Sequence, residues 1–309
     1  MTNLGYACIN LTLADEGVTT NRGMIKKTFG EKGIAYASEL ALSNVQALYK
    51  ILEWNVENGI RVFRVTSDLF PWASEYKIQA MPHYREIREI LEACGKMPVR
   101  LSTHPGPFNK VAGIGTTLTN TIKDLEIHSE IFDLMNLEAS PYNKINIHVG
   151  GAYGDKAETL KRFAQNFRLL SPHLQKRLTI ENDDKPGLYT VQELVPLHEM
   201  TGIPIVFDYF HHRLHPGEQT EREAFETAYK TWTVKPTFHY SSSRRENENP
   251  EAKKEAHSDW LHEEIATYNY EVDIMLETKM KELSLLRYRQ GILGAPQVEV
   301  ASSAALPAA

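Results

Sequence analysis

A single (β/α)8 barrel is the fold class this sequence predicts. Three observations predict it: short β-rich apolar runs alternate with longer stretches of helical periodicity, the runs number eight, and no linker, repeat or composition shift marks a second domain. With 309 residues, 42% of them hydrophobic, the chain is long enough to close such a barrel and bury its core.

The strands are predicted at 4–8, 61–65, 99–102, 144–149, 178–181, 205–208, 237–241 and 273–277. Eight is the number that closes a parallel barrel. Between them, helices are predicted at 42–58, 83–93, 120–137, 158–170, 191–200 and 221–231, where apolar residues recur every three or four positions. Gly59 and Gly202 directly follow two of these helices, as a left-handed terminating residue commonly does, and Pro204 then blocks continuation. Residues 15–32, rich in Gly, Thr and charge, are expected to form a long functional loop after the first strand. The barrel is assigned to residues 1–290, and 291–309 are expected to be a disordered or appended tail.

Composition narrows the function classes. The N-terminus has no apolar run of signal-peptide length, and no stretch approaches the roughly 20 apolar residues that cross a bilayer, so a soluble cytoplasmic chain is expected, without membrane contact or an obligate protein partner. Cys8 and Cys94 are expected to be free thiols rather than a bridge. A net charge of −6 disfavours nucleic-acid binding by bulk attraction. Roughly three bound divalent cations would reverse that sign locally.

The chemistry-bearing residues stand out by position. His104, His148, Glu181, Asp208, His239 and Glu277 each lie at or just beyond the C-terminal end of a different predicted strand, and in a (β/α)8 barrel those ends converge on the face where active sites are built. Taken singly, a histidine after a strand is more often a hydrogen-bonded residue than a ligand, and a terminal carboxylate is more often a helix cap. Six at six strand ends make a shared cation site the stronger account. Asp208 and His211, three residues apart on a turn, can clasp one ion together. The run Glu181-Asn182-Asp183-Asp184 would be costly to bury unless cations neutralise it. Mixed imidazole and carboxylate donors suit Zn2+, Mn2+ or Fe2+. Several ions in one bowl suit phosphoryl chemistry or sugar isomerisation, and composition does not choose between these.

The motifs resemble one family, the UV damage endonucleases, relatives of endonuclease IV in the xylose-isomerase-like barrel superfamily. The resemblance runs from residue 4 to about 289. It rests on Leu-Gly-Tyr at 4–6 with Asn10, Arg-Val-Thr-Ser-Asp-Leu-Phe-Pro at 64–71, His-Pro at 104–105, Ile-Asn-Ile-His-Val-Gly-Gly-Ala-Tyr-Gly at 145–154, Thr-Ile-Glu-Asn-Asp-Asp-Lys at 179–185, Phe-Asp at 207–208 with His211, and His-Tyr-Ser-Ser at 239–242. It implies hydrolysis of double-stranded damaged DNA immediately 5′ to a UV photoproduct, with up to three divalent ions, commonly Mn2+ with Mg2+ or Zn2+ as alternatives. The implied ligands are His104, His148, Glu181, Asp208, His211, His239, His257 and Glu277, with Glu181, His239 and Glu277 as catalytic residues.

Three positions depart from the family pattern. Glu75 stands where many members have a ligand histidine, and is carried as a carboxylate candidate. Thr237 replaces a lysine that can be carboxylated to bridge metals, so that bridge cannot form there. Pro107-Phe108 replaces a glutamine followed by an aromatic that probes the opposite strand, leaving an aromatic wedge. Substrate contacts are expected from Tyr6, Asn10, Pro107 and Phe108, with Tyr6 and Phe108 stacking on exposed bases. The alternatives are an endonuclease-IV-like abasic-site nuclease, a sugar isomerase or epimerase, and a catalytically inactive damage-binding module.

Overall fold

Each predicted run forms a strand because its residues are buried on both sides, as the strands of a parallel sheet between a packed interior and covering helices must be. The structure, a computed structural model, describes residues 2–296. Its strands are β1 (Leu4–Ala7), β2 (Val62–Val65), β3 (Arg100–Thr103), β4 (Ile145–His148), β5 (Leu178–Glu181), β6 (Ile205–Val206), β7 (Thr237–Tyr240) and β8 (Asp273–Leu276). They pair in parallel in the order β6-β5-β4-β3-β2-β1-β8-β7. One bridge between Asp208 and His239 closes the gap from β6 to β7, with the His239 N–H donating to the Phe207 carbonyl at 2.9 Å. The ring therefore closes at two of the candidate ligands.

Alternation along the strands sorts the side chains. One set, including Phe63, Leu101, Ile147, Ile180, Phe238 and Ile274, joins the large apolar cluster under the helices. The other set faces the barrel axis and is mostly polar: Arg100, Ser102 and His104 on and after β3, Lys144, Asn146 and His148 on and before β4, and Thr237 and His239 on β7. Ala7, Val62 and Met275 make a small separate apolar cluster, with Cys8 against it. Gly5 is required on β1, since a Cβ there would collide with the backbone of Val62. Branched apolar residues usually fill such an interior. Here a polar column fills it and rises to the C-terminal rim.

The helices differ from expectation at their ends and in one long element. The first long helix is Lys26–Glu57, not 42–58, and it bends where Gly33 takes φ 63°. The expected loop at 15–32 therefore ends before Lys26. Its glycines weaken helical propensity, which hid the element. Packing restores it: Phe29 stacks on Trp72 at 5.7 Å, and the Trp72 indole donates to the Met24 carbonyl at 2.9 Å. Tyr84–Gly95, Thr116–Leu134, Lys156–Phe167, Val191–Thr201 and Glu221–Tyr229 follow the predicted helices closely. Capping boxes at Thr190/Glu193 and Thr220/Glu223 fix two starts, and Gly202 ends Val191–Thr201 at φ 76°. Helix Lys281–Arg289 was not foreseen. Of the expected tail, Gly294 is tied back by its N–H to the Leu261 carbonyl at 2.6 Å, and residues 297–309 lie outside the described residues. Cys8 and Cys94 are free thiols. No helix among the described residues is long and apolar enough to cross a membrane.

Candidate metal centre

The strand ends bring the predicted donors into one bowl. Among the described residues, three groups have ligand atoms within 4.8 Å of one another: His104, His148 and Glu181; Glu181, Asp208 and His211; and Asp208, His239 and Glu277. The groups overlap, because Glu181 belongs to two and Asp208 to two. Adjacent imidazoles confirm the crowding, with ring centroids 5.4 Å apart for His104 and His148 and 5.6 Å for His148 and His211.

Glu181, at the end of β5 and 1% exposed, is the hub. Its carboxylate lies 3.2 Å from His104 Nε2, 3.3 Å from His211 Nδ1 and 3.1 Å from His239 Nδ1. Asn146 donates to it from β4, and Thr179 Oγ1 donates to the Asn146 amide oxygen at 2.8 Å, so a relay of side chains fixes its orientation. Asp208 is fixed twice. Its Oδ1 accepts the His211 N–H at 2.7 Å, capping helix Tyr209–Leu214, while Asn182 clamps its backbone in both directions. The cap and ligand readings of Asp208 thus hold together: capping uses one oxygen and leaves the other.

Electrostatics point to cation binding. Asp208 Oδ2 is buried without a hydrogen-bond partner, a costly state for a carboxylate oxygen unless something binds it, while His148 Nδ1 lies 3.1 Å from Asp183 Oδ1. Burial raises the Asp208 carboxyl to about 7, against the pull of His211. His211 is raised well above the usual histidine range, where Asp208 and Glu181 overcome its burial. Burial pushes His239 down to about 3, so its ring is neutral near pH 7. Oxygen and imidazole donors in this number fit divalent Mn2+ or Zn2+, and no thiolate is among them.

His257 sits at the edge of the bowl. Its Nδ1 bonds Ser241 Oγ at 2.7 Å and lies 3.8 Å from Glu277 Oε2, outside the three tight groups. Glu75 is not brought to the cluster. It is exposed on the short helical turn Ala73–Glu75, accepts from Ser74 Oγ, and belongs to none of the three donor groups.

Two substrate expectations need correction. Tyr6 is fully buried, donates to Asn55 Oδ1 at 2.7 Å and packs edge-on against Phe63, so it cannot stack on a base. Asn10 is also fully buried. Its Oδ1 caps helix Leu11–Ala14 and its amide donates to Tyr6 Oη at 2.8 Å. Strand alternation turns Tyr6 outward under the helices, which the motif alone did not reveal. Pro107 and Phe108 are exposed at the rim, Phe108 by 68%.

Sequence reasoning missed two buried basic side chains beside His239. Lys144 Nζ lies 3.0 Å from His239 Nε2 and donates to the Thr237 carbonyl at 2.8 Å. Arg64 Nη2 reaches Glu277 Oε1 at 2.6 Å and both His239 nitrogens at 3.2 and 3.3 Å. The available signal was a charged residue within or beside a strand that must be buried on both faces.

The UV-endonuclease UvdE family matches residues 2–308. A UV-damage endonuclease of Schizosaccharomyces pombe is 35% identical over 295 residues, covering 90% of this chain and 49% of that protein, so the chain spans about half of that relative's length. A UV DNA damage endonuclease of Bacillus cereus is 32% identical over 262 residues, with 79% of each chain covered. Among solved structures, SacUVDE matches with a TM-score of 0.79 at 30% identity, covering 95% of this chain and 100% of that one. Endonuclease IV from Thermus thermophilus shares the fold, with a TM-score of 0.53 at 15% identity over 79% of this chain and 93% of that one. With a match along nearly its whole length and the donor-lined bowl in place, the chain belongs to the UV-endonuclease UvdE family.

Proposed function

We propose that this chain is a metal-dependent endodeoxyribonuclease that hydrolyses the phosphodiester immediately 5′ to a UV photoproduct in double-stranded DNA, leaving a 3′ hydroxyl and a 5′ phosphate. The observation that carries the proposal is the linkage of three donor groups through Glu181 and Asp208 on the catalytic face of the barrel. Divalent cations held there, Mn2+ first among them, would supply Lewis-acid polarisation and charge neutralisation to a phosphodiester.

The chain's own residues do the rest. Glu181, His239 and Glu277, carried by β5, β7 and the end of β8, would present donors around which the backbone phosphate docks. Asn146 and Asn182 hold Glu181 and Asp208 in place, which keeps the site preorganised when substrate arrives. Phe108, on the loop after β3, is free to stack in the gap left by an extruded lesion, with Pro107 stiffening the loop before it. Photoproducts stack and pair poorly, so extruding them costs less than flipping normal bases, which provides selectivity through deformability.

The test is incision of supercoiled plasmid with added Mn2+. The proposal expects nicking of UV-irradiated plasmid and none of unirradiated plasmid. Equal nicking of abasic and UV-damaged DNA would favour an abasic-site nuclease, and no nicking at all would overturn the proposal.

A further inference from the structure

Arg64 is a charged side chain of the bowl that the ligand set does not use and that bonds directly to one of its carboxylates. It projects inward from β2, two positions after Val62, and is 8% exposed. Its Nη2 stands 2.6 Å from Glu277 Oε1 and within 3.3 Å of both ring nitrogens of His239. Those two residues, with Asp208, form one of the three donor groups. The guanidinium therefore occupies two of the three side chains that an ion would need there, and the same Glu277 oxygen cannot serve both fully.

A guanidinium does not release its proton in a protein, so this positive charge is permanent. Buried beside a dication it repels that ion strongly, because water is too distant to screen the pair. Among the described residues, the carboxylates of the other two groups, those of Glu181 and Asp208, pair with histidines and make no ion pair with an arginine or lysine. Lys144 adds a second basic group to the same imidazole, its Nζ 3.0 Å from His239 Nε2, while Glu277 Oε1 lies 3.4 Å from the other ring nitrogen.

We propose that Arg64 is a resident counter-ion of the Asp208–His239–Glu277 group, competing with a divalent cation for it and making this group the weakest and last to fill. The proposal rests on the metal-centre reading above. In the metal-free chain, Arg64 neutralises Glu277 and holds the rim together. An ion entering that group must displace it. Linkage requires the converse: removing the guanidinium strengthens the last ion and weakens the metal-free fold.

The experiment measures Mn2+ uptake by calorimetry and by equilibrium dialysis on the wild-type chain, Arg64→Gln and Arg64→Lys, together with thermal melting in chelator. The expected result is tighter binding of the last Mn2+ in Arg64→Gln, by roughly 5- to 150-fold, with unchanged affinity for the earlier ions and a lower melting temperature in chelator. Arg64→Lys keeps the charge without the forked donor and should give a smaller gain. It also stands in should the glutamine variant fail to fold. Last-ion affinity that is unchanged or weaker in folded variants would overturn the proposal while leaving the metal centre intact. Wild-type protein that takes up no ion would sink the metal-centre reading itself.

Discussion

At the residue scale, Glu181 and Asp208 concentrate the chemistry because each belongs to two donor groups. Glu181→Gln keeps the shape and removes the charge. Incision is expected to fall by about 100-fold or more, together with a loss of bound metal, and elemental analysis alongside plasmid nicking checks both. Asp208 makes a pH prediction. Burial raises its carboxyl to about 7, so in the metal-free chain it is largely protonated at pH 6 and ionised at pH 8. Cations bind the ionised carboxylate and neutral imidazoles, so Mn2+ affinity should rise from pH 6 to pH 8 by about tenfold or more, as the Asp208 proton and then the His211 proton are displaced. Calorimetry at pH 6 and pH 8 would show this, and equal affinities at the two values would contradict it.

At the scale of elements, the loop after β3 presents Phe108 to solvent while holding the half-buried His104 beside Glu181. Phe108→Ala should raise KM for a UV-damaged duplex, consistent with about 1–3 kcal/mol of base stacking, while bound Mn2+ stays unchanged. Loss of metal in that variant would assign the loop a structural role instead. The strands were legible because a parallel barrel needs short, doubly buried β-rich runs, and the donors were legible because they sit at the ends of those runs. Helix Lys26–Glu57 was partly hidden, since Gly30 and Gly33 read as loop until Trp72 packed against Phe29. Tyr6 and Asn10 carried a substrate signal in the motif, yet one pairs with Asn55 and the other caps a short helix. Which side of a four-residue strand faces the axis depends on register, and register is set by partners far along the chain. Arg64 and Lys144 were missed for a related reason: their meaning comes from His239, 175 and 95 residues away.

At the scale of the whole molecule, the closing bridge of the barrel joins Asp208 to His239, so the fold and the donor bowl are completed at the same place. Metal binding and folding should therefore be coupled. Mn2+ is expected to raise the melting temperature in a concentration-dependent way, as any ligand of the folded state alone does, and chelator should reverse the gain. The net charge of −6 bears on the same point, because cations held in the bowl would add positive charge where an anionic phosphodiester would dock. The measurement closest to this claim is a count of ions per chain. Protein stripped with chelator, exchanged into Mn2+ and dialysed should retain more than one ion per chain, and Glu181→Gln prepared alongside should retain fewer. Folded wild-type protein that holds no Mn2+, or a Glu181→Gln variant that holds just as much, would contradict the account.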